Sequence, residues 1–135
     1  MIVVDSSALF AILLNEDGAD RCEAALRKAD DLFMSAATLT EVLVVAARKR
    51  VSARTRTFLD TLDLKVIPLT QERALAAGDA FERWGPGQHA AGLNYGDSFA
   101  YALAMEHACP LLFIGRDFAL TDVRSALQPT PSPRP

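Results

Sequence analysis

The chain has 135 residues, of which 50% are hydrophobic and 23% are charged, with seven glycines and seven prolines. This composition is typical of one globular domain and excludes collagen-like and largely disordered chains. Aspartate and glutamate outnumber lysine and arginine by 17 to 14, which leaves a net charge of −3. This charge argues against a protein that coats nucleic acid through overall positive charge, so nucleic-acid chemistry would have to come from a local site.

Cysteine content and hydropathy indicate the compartment. Cys22 and Cys109 are too few for a disulfide framework and lack the CxxC spacing of a zinc or redox site, so we expect two free thiols in a reducing environment. No apolar run approaches the roughly 18 residues that span a bilayer, and the first residues carry no basic leader. We therefore expect a soluble cytoplasmic protein with no membrane partner.

Short apolar runs alternate with helical patterns along the chain. Strands are predicted at residues 2–4, 32–34, 65–67 and 111–114, with a further edge strand near Val123. Helices are predicted from Ser6 or Ser7 to Leu14, over 19–28, 38–50, 52–63 and 70–84, and from Tyr95 or Gly96 to His107. The alternation predicts an α/β fold, a three-layer α/β/α sandwich with a central parallel sheet of four to five strands.

Two segments are distinguished by their composition. Residues 85–92 contain three glycines and a proline and are predicted to form a loop before the alanine-rich helix. Residues 128–135 contain four prolines and are predicted to be a disordered tail. The sequence thus predicts one domain over 1–127, followed by the tail. Along helix 70–84 the predicted apolar side holds Ala74, Leu75, Ala77 and Phe81.

Four acids occupy positions where a parallel sheet builds its binding crevice. Asp5 follows the first strand directly, and Asp117 follows the fourth strand by three residues. Asp97 and Glu41 are each predicted in the first turn of a helix. Ligands of such sheets bind beyond the carboxyl ends of the strands, where the strand order reverses, so these four carboxylates are predicted to converge.

Each acid also has a purely structural interpretation. Asp5 is a favoured N-cap residue, and Thr38 with Glu41 has the spacing of a capping box. Asp97 complements the positive end of its helix, and Asp117 is an ordinary turn residue. The combination of all four is harder to explain in this way, because two like charges about 6 Å apart repel by about 3 kcal/mol at an effective dielectric constant near 20.

A cluster of four carboxylates must therefore stay partly protonated or bind cations. Ligands that are all oxygens suit Mg²⁺ or Mn²⁺ rather than zinc. Such an ion lowers the pKa of a bound water and stabilises charge on a phosphoryl group, which is the chemistry of phosphodiester hydrolysis. The sequence thus predicts a catalytic metal site formed by Asp5, Glu41, Asp97 and Asp117.

Further polar residues flank this cluster or form a basic segment. Ser7 is placed to hydrogen-bond the Asp5 carboxylate and orient it, although it also fits as a helix cap. Asn94 is assigned to loop structure, with substrate contact as the alternative. Five cations within nine residues form either a solvated helix end or a patch that tracks the phosphates of a polyanion; these are Arg48, Lys49, Arg50, Arg54 and Arg56.

The sequence offers no other catalytic machinery. His89 and His107 stand alone, and the HExxH, GxSxG, Walker and GxGxxG motifs are absent. A signalling receiver would need an aspartate at the end of the third strand, but Val66-Ile67-Pro68-Leu69 holds no acid there. A receiver would also need a lysine after a later strand, where Arg116 is the only nearby cation.

The chain resembles the PIN-domain family, and in length and block order the VapC toxins of type II toxin–antitoxin modules. The resemblance covers nearly all of the chain except the proline-rich tail. It rests on Ile2-Val3-Val4-Asp5-Ser6-Ser7-Ala8-Leu9, Leu39-Thr40-Glu41-Val42, Leu93-Asn94-Tyr95-Gly96-Asp97-Ser98-Phe99-Ala100-Tyr101-Ala102-Leu103-Ala104 and Pro110-Leu111-Leu112-Phe113-Ile114-Gly115-Arg116-Asp117-Phe118. The third block is the most specific of the four.

The resemblance implies a PIN-like sheet of five parallel strands and an Mg²⁺- or Mn²⁺-dependent endoribonuclease that acts on RNA. It also implies homodimer formation and inhibition by a cognate VapB-like antitoxin. The family's metal-site acids correspond to Asp5, Glu41, Asp97 and Asp117, and Asp122 matches a position that we assign to structure.

Arg116 is the main departure from the family pattern, because relatives usually carry Asn or Asp between Gly115 and Asp117. A cation there either weakens a second metal position or replaces it by contacting phosphate, so one-metal and two-metal chemistry both stay open. The alternative function is a catalytically degenerate PIN module that acts by binding only. A structure-specific DNA nuclease of the wider PIN group is a third possibility, but such proteins usually carry insertions that a chain of this length cannot hold.

Overall fold

A computed structural model gives the structure of residues 1–127. A parallel sheet of four strands lies at its centre, in the order β3-β2-β1-β4. The strands are β1 (Ile2–Val4), β2 (Leu32–Ser35), β3 (Leu64–Ile67) and β4 (Leu111–Leu112). A parallel bridge between Leu111 and Ser125 extends the sheet beyond β4, close to the edge strand predicted near Val123. The predicted tail, residues 128–135, lies outside the described residues.

Helices cover both faces of this sheet. They are α1 (Ser6–Leu13), α2 (Ala19–Lys28), α3 (Ala36–Arg48), α4 (Ser52–Thr61), α5 (Gln71–Trp84) and α6 (Tyr95–Glu106), with a short 3₁₀ helix over Phe118–Leu120. Side chains alternate across β1, so that Val3 packs into one core with residues of α5 and α6. Ile2 and Val4 pack into the other core, with α1, α2 and α3. The predicted α/β/α sandwich is therefore confirmed.

The strand order places a crevice beside β1. The chain leaves β1 for β2 on one side, whereas β4 lies on its other side, so the carboxyl end of β1 is the topological switch point of the sheet. Asp5 is the first residue after β1, and its N–H donates to the carbonyl of Leu112 in β4 at 2.9 Å. The neighbouring strand thus holds Asp5 at the crevice.

The predicted start of α3 is wrong by two residues, and this changes the role of Glu41. The helix begins at Ala36, and Ser35 caps it by accepting a hydrogen bond from the Ala37 N–H at 3.2 Å. Because Ser35 also ends β2, no loop separates strand from helix, and Ser35 is the N-cap although it lies within the strand pattern. Glu41 therefore lies in the second turn, and the predicted capping box of Thr38 with Glu41 does not form.

Three smaller predictions also needed correction. The first helix is capped by Asp5, as its structural interpretation predicts, and not by the other cap candidate, Ser7. Strand β4 ends at Leu112 instead of continuing to Ile114. In α5 the buried side is formed by Ala77, Ala80 and Trp84, whereas Ala74, Leu75 and Phe81 are exposed. Apolar periodicity alone could not distinguish a core face from a second apolar face of the same helix.

Helices α5 and α6 form an antiparallel pair. The Leu93 N–H, just before α6, donates to the carbonyl of Trp84 at the end of α5 at 2.9 Å. At the opposite end, Arg73 pairs with Glu106, with 3.0 Å between Nε and Oε1. This pairing fixes the first turn of α6 at the end of the hairpin that lies near Asp5.

Among the helices of residues 1–127, none is long and apolar enough to cross a membrane.

Candidate metal centre

Asp5 is the most deeply buried acid of the chain's predicted site, with 2% of its surface exposed. Its Oδ2 atom accepts two hydrogen bonds, from the Ser7 N–H at 3.1 Å and from the Ser7 hydroxyl at 2.6 Å. Its Oδ1 atom is buried and has no hydrogen-bond partner among the described residues. One oxygen therefore caps α1 while the other stays available, so the structural and functional interpretations of Asp5 are compatible.

Ser7 connects Asp5 to the segment that follows β4. Its hydroxyl donates to Asp5 and accepts a hydrogen bond from the Ile114 N–H at 3.1 Å. Its two partners, Asp5 and Ile114, lie just beyond the ends of the paired strands β1 and β4, so the two hydrogen bonds hold the hydroxyl in one orientation. The predicted contact between Ser7 and Asp5 is present, and it fixes the direction in which Oδ1 points.

Asp97 is placed by a capping box at the start of α6. The Asp97 N–H donates to Asn94 Oδ1 at 2.9 Å, and the Asn94 N–H donates to Asp97 Oδ2 at 3.0 Å. Both terminal N–H groups are thereby satisfied, which accounts for the stability of this helix start. Asn94 therefore caps α6 and is hydrogen-bonded to Asp97, whereas substrate contact by Asn94 stays a prediction.

Glu41 reaches the crevice from the second turn of α3. Its side chain is half-buried, and its Oε1 atom is buried without a hydrogen-bond partner among residues 1–127. The carboxylate lies directly against the backbone of Gly96 in the first turn of α6. Helix α3 therefore delivers its acid to the same place at which α6 begins.

The pKa values show that these acids share one electrostatic environment. Burial raises the pKa of Asp5 to about 6, opposed by its Ser7 hydrogen bonds and assisted by the charge of Glu41. The pKa of Asp97 is raised to about 7, mainly by burial and also by the charges of Asp5, Glu41 and Asp117, and the hydrogen bond from the Asn94 N–H opposes this rise. Acids from four distant parts of the sequence thus repel one another at the carboxyl edge of the sheet.

Asp117 and Arg116 are exposed residues after β4, and the charge of Asp117 contributes to the raised pKa of Asp97. Asp117 precedes the 3₁₀ helix and does not cap it through its side chain, so its carboxylate is available to the site. Arg116 is exposed and makes no hydrogen bond or ion pair with another described residue. It follows Gly115, whose φ of 111° belongs to a backbone region that favours glycine.

The predicted phosphate-tracking residues lie farther away. Arg48, Lys49 and Arg50 follow Glu41 by seven residues or more, about 10 Å along the axis of α3, in the direction away from the crevice. Arg54 donates a hydrogen bond to the carbonyl of Leu13 at the far end of α1. The structure therefore does not bring this basic segment to the rim of the acidic crevice.

Asp122, the two histidines and the two cysteines make contacts that belong to the fold rather than to the acidic crevice. Tyr101 donates a hydrogen bond to Asp122 at 2.6 Å, which agrees with the structural assignment of Asp122. His89 accepts from the Ala91 N–H at 3.0 Å, and His107 stacks on Phe33 with 5.3 Å between ring centroids. Cys22 and Cys109 are free and buried, as predicted.

The donors fit a divalent cation in their chemistry. Two buried carboxylate oxygens, Asp5 Oδ1 and Glu41 Oε1, lack partners, and burying unpaired anionic oxygens is costly. All available ligands are oxygens, the type that Mg²⁺ and Mn²⁺ prefer. Within residues 1–127 no three His, Cys, Asp or Glu side chains are already close enough to ligate one ion. The crevice thus gathers suitable ligands without holding them at coordination distances.

Comparisons with known proteins identify the family of this chain. Residues 2–123 match the PIN domain family. The chain is 38% identical over 131 residues to the protein named ribonuclease VapC30 of Mycobacterium tuberculosis, covering 95% of this chain and all of that protein. It is 39% identical over 125 residues to ribonuclease VapC of Mycolicibacterium smegmatis, covering 90% of this chain and 97% of the relative. The chain belongs to the VapC family of PIN-domain ribonucleases.

Solved structures support the fold of this VapC-family chain. The crystal structure of M. tuberculosis VapC20, described as a toxin that cleaves the sarcin-ricin loop, matches with a TM-score of 0.74 and 14% identity, covering 91% of this chain and 96% of that one. VapBC2 of Rickettsia felis, bound to a promoter DNA fragment, matches with a TM-score of 0.66 and 16% identity, covering 93% and 97%. The family assignment excludes the signalling-receiver interpretation.

Proposed function

We propose that this VapC-family chain is a metal-dependent endoribonuclease and the toxin of a toxin–antitoxin module. The observation that carries the proposal is the convergence of Asp5, Glu41, Asp97 and Asp117 at the topological switch point of the sheet, with raised pKa values at two of them. The relatives named as VapC ribonucleases cover almost the whole chain, so the activity is proposed for the domain as it stands. Its substrate would be RNA in the cytoplasm.

Mg²⁺ or Mn²⁺ is the proposed cofactor, held by the four acids directly or through water. The unpartnered oxygens of Asp5 and Glu41 support this role, since a cation would neutralise them. When bound, such an ion lowers the pKa of a water molecule and stabilises negative charge on a phosphoryl group. Two neighbouring side chains would orient the metal ligands through hydrogen bonds. Ser7 is hydrogen-bonded to Asp5, and Asn94 is hydrogen-bonded to Asp97.

Arg116 is proposed to contact an RNA phosphate beside the acids. Its guanidinium is exposed and unpaired within the described residues, and it adjoins Asp117 in sequence. Guanidinium groups bind phosphate through two parallel hydrogen bonds. Substrate contact by Arg48, Lys49 and Arg50 stays a prediction, and it would require RNA to extend past the far end of α3.

Chelation gives the direct test of this function. With purified chain and single-stranded RNA, Mn²⁺ or Mg²⁺ should support cleavage, and an excess of EDTA should abolish it because the carboxylates alone cannot supply the missing positive charge. Gel analysis of end-labelled RNA measures the product, and calorimetry with Mn²⁺ measures binding. Absence of both cleavage and tight Mn²⁺ binding would favour the degenerate module that acts by binding only.

The proposed partners are a VapB-like antitoxin and a second copy of the chain. Helices α5 and α6 share an apolar groove beside the site, with Ala74, Ala77 and Gly78 as its floor and Phe81 and Tyr95 on its sides. Tyr95 is 77% exposed, and none of the described residues that line the groove is charged. Projecting rings and a floor of small residues on one face can interlock with the same face of another copy around a two-fold axis.

Phe81→Glu should therefore convert a homodimer to a monomer, because each interface would bury two unpaired carboxylates. Light scattering coupled to gel filtration measures the mass of the purified chain. Val44→Glu places the same charge at an exposed apolar position of α3 and should leave the dimer intact. If Phe81→Glu stays dimeric but loses antitoxin binding, the groove belongs to the antitoxin instead.

A further inference from the structure

Gly96, the second residue of α6, lies where the Glu41 carboxylate approaches the helix. A Cβ atom placed on Gly96 would overlap Glu41 Oε2, and it would lie 2.7 Å from the carboxyl carbon and 3.2 Å from Oε1. All three atoms belong to the end of one side chain. The space that any other residue would fill with its Cβ is therefore occupied by the Glu41 carboxylate.

The backbone of Gly96 does not require glycine. The glycines with positive φ in the described part of the chain are Gly18, Gly87, Gly92 and Gly115, and Gly96 has the ordinary helical conformation. Within a helix, glycine is less favourable than alanine because it loses more backbone freedom on folding. The backbone conformation therefore does not explain why glycine occupies this position. The Glu41 carboxylate does explain it, because it fills the space that a Cβ atom would need.

The contact decides where Glu41 can act. Gly96 is buried and is followed directly by Asp97, so the missing Cβ lets the acid of α3 lie beside the acid of α6. Glu41 Oε1 has no hydrogen bond that would hold it there. Its place is therefore determined by the shape of the α6 backbone and the surrounding packing.

We propose that Gly96 is a positioning residue for Glu41, and that its missing side chain admits the Glu41 carboxylate to the acidic crevice. The proposal rests on the metal-dependent function proposed above. Gly96→Ala should displace the carboxylate rather than unfold the protein, because the overlapping atoms are the far end of a flexible side chain. The loss should therefore appear in metal binding and not in folding.

The experiment measures Mn²⁺ affinity by calorimetry and the thermal midpoint of the metal-free chain. Gly96→Ala should bind Mn²⁺ at least about tenfold more weakly than the wild type, with a midpoint no lower than the wild type's. Ala53→Ser is the control, since it adds one side-chain atom to an exposed residue of α4 outside the crevice. It should bind Mn²⁺ like the wild type.

A double-mutant cycle with Glu41→Ala separates positioning from a local distortion of α6. In the Glu41→Ala background, Gly96→Ala should cause no further loss of Mn²⁺ affinity, since no carboxylate remains to be displaced. An equal loss in both backgrounds would overturn the proposal and assign the effect to Asp97. Wild-type affinity in Gly96→Ala would overturn it while leaving the proposed function intact, whereas absent Mn²⁺ binding by the wild type would overturn both.

Discussion

Asp97→Asn is expected to abolish metal-dependent RNA cleavage, with a loss of more than about 100-fold. Residues that merely orient metal ligands typically contribute about 10- to 100-fold, so removing a ligand charge should cost more. Asparagine keeps an acceptor oxygen for the Asn94 N–H, so the capping box and the start of α6 should survive. Initial rates of cleavage at saturating Mn²⁺ measure the effect, and circular dichroism checks the fold.

Asp5→Asn should give a loss of the same size, because Asp5 carries the buried oxygen without a partner. Asp60→Asn is the matched control, since Asp60 is an exposed acid of α4 and the substitution removes the same charge outside the crevice. It should retain full activity. Retained cleavage in both Asp5→Asn and Asp97→Asn, with the fold intact, would show that the acids do not form the catalytic site.

The metal-free chain is expected to lose stability as the pH rises from about 4 to about 7. Asp5 and Asp97 have pKa values raised from 3.8 to about 6 and about 7 in the folded state. In this range the folded state binds more protons than the unfolded state, so the free energy of unfolding falls with increasing pH. For Asp5, a rise of about two units corresponds to about 3 kcal/mol.

Urea denaturation in EDTA at pH 5 and pH 8 measures this decrease in the free energy of unfolding. Asp97→Asn should show a smaller decrease than the wild type, since one of the two groups is gone, whereas Asp60→Asn should show the full decrease. Mn²⁺ should stabilise the wild type more at pH 8 than at pH 5, because only ionised carboxylates bind it. A stability that increases from pH 5 to pH 8 in EDTA would contradict the raised pKa values.

The pattern of Ile2-Val3-Val4-Asp5 was sufficient to predict both a strand and an acid at its carboxyl end. A continuous β-branched run has few alternatives to a buried parallel strand, and the residue after it must lie at the edge of the sheet. The capping role of Asn94 was equally accessible, since its effect extends over only three residues. Local sequence was sufficient in these two cases because the interacting groups are close along the chain.

Glu41 and Gly96 show the opposite case. The start of α3 was misplaced because β2 runs into the helix at Ser35 without a loop, so the local signal pointed to Thr38. The contact between Glu41 and Gly96 joins residues 55 positions apart, and no periodicity or motif reports such a contact. The exposure of Leu75 and Phe81 likewise depends on how α5 packs against α6.

The amino-acid sequence by itself determined the alternation of strands and helices, the parallel sheet and the four acids at its carboxyl edge. Only the tertiary structure decided which carboxylate oxygens are buried without partners and that the basic segment lies away from the crevice. The physical reason is that burial and electrostatic coupling depend on distances between segments remote in sequence, which chain packing sets and local patterns do not encode.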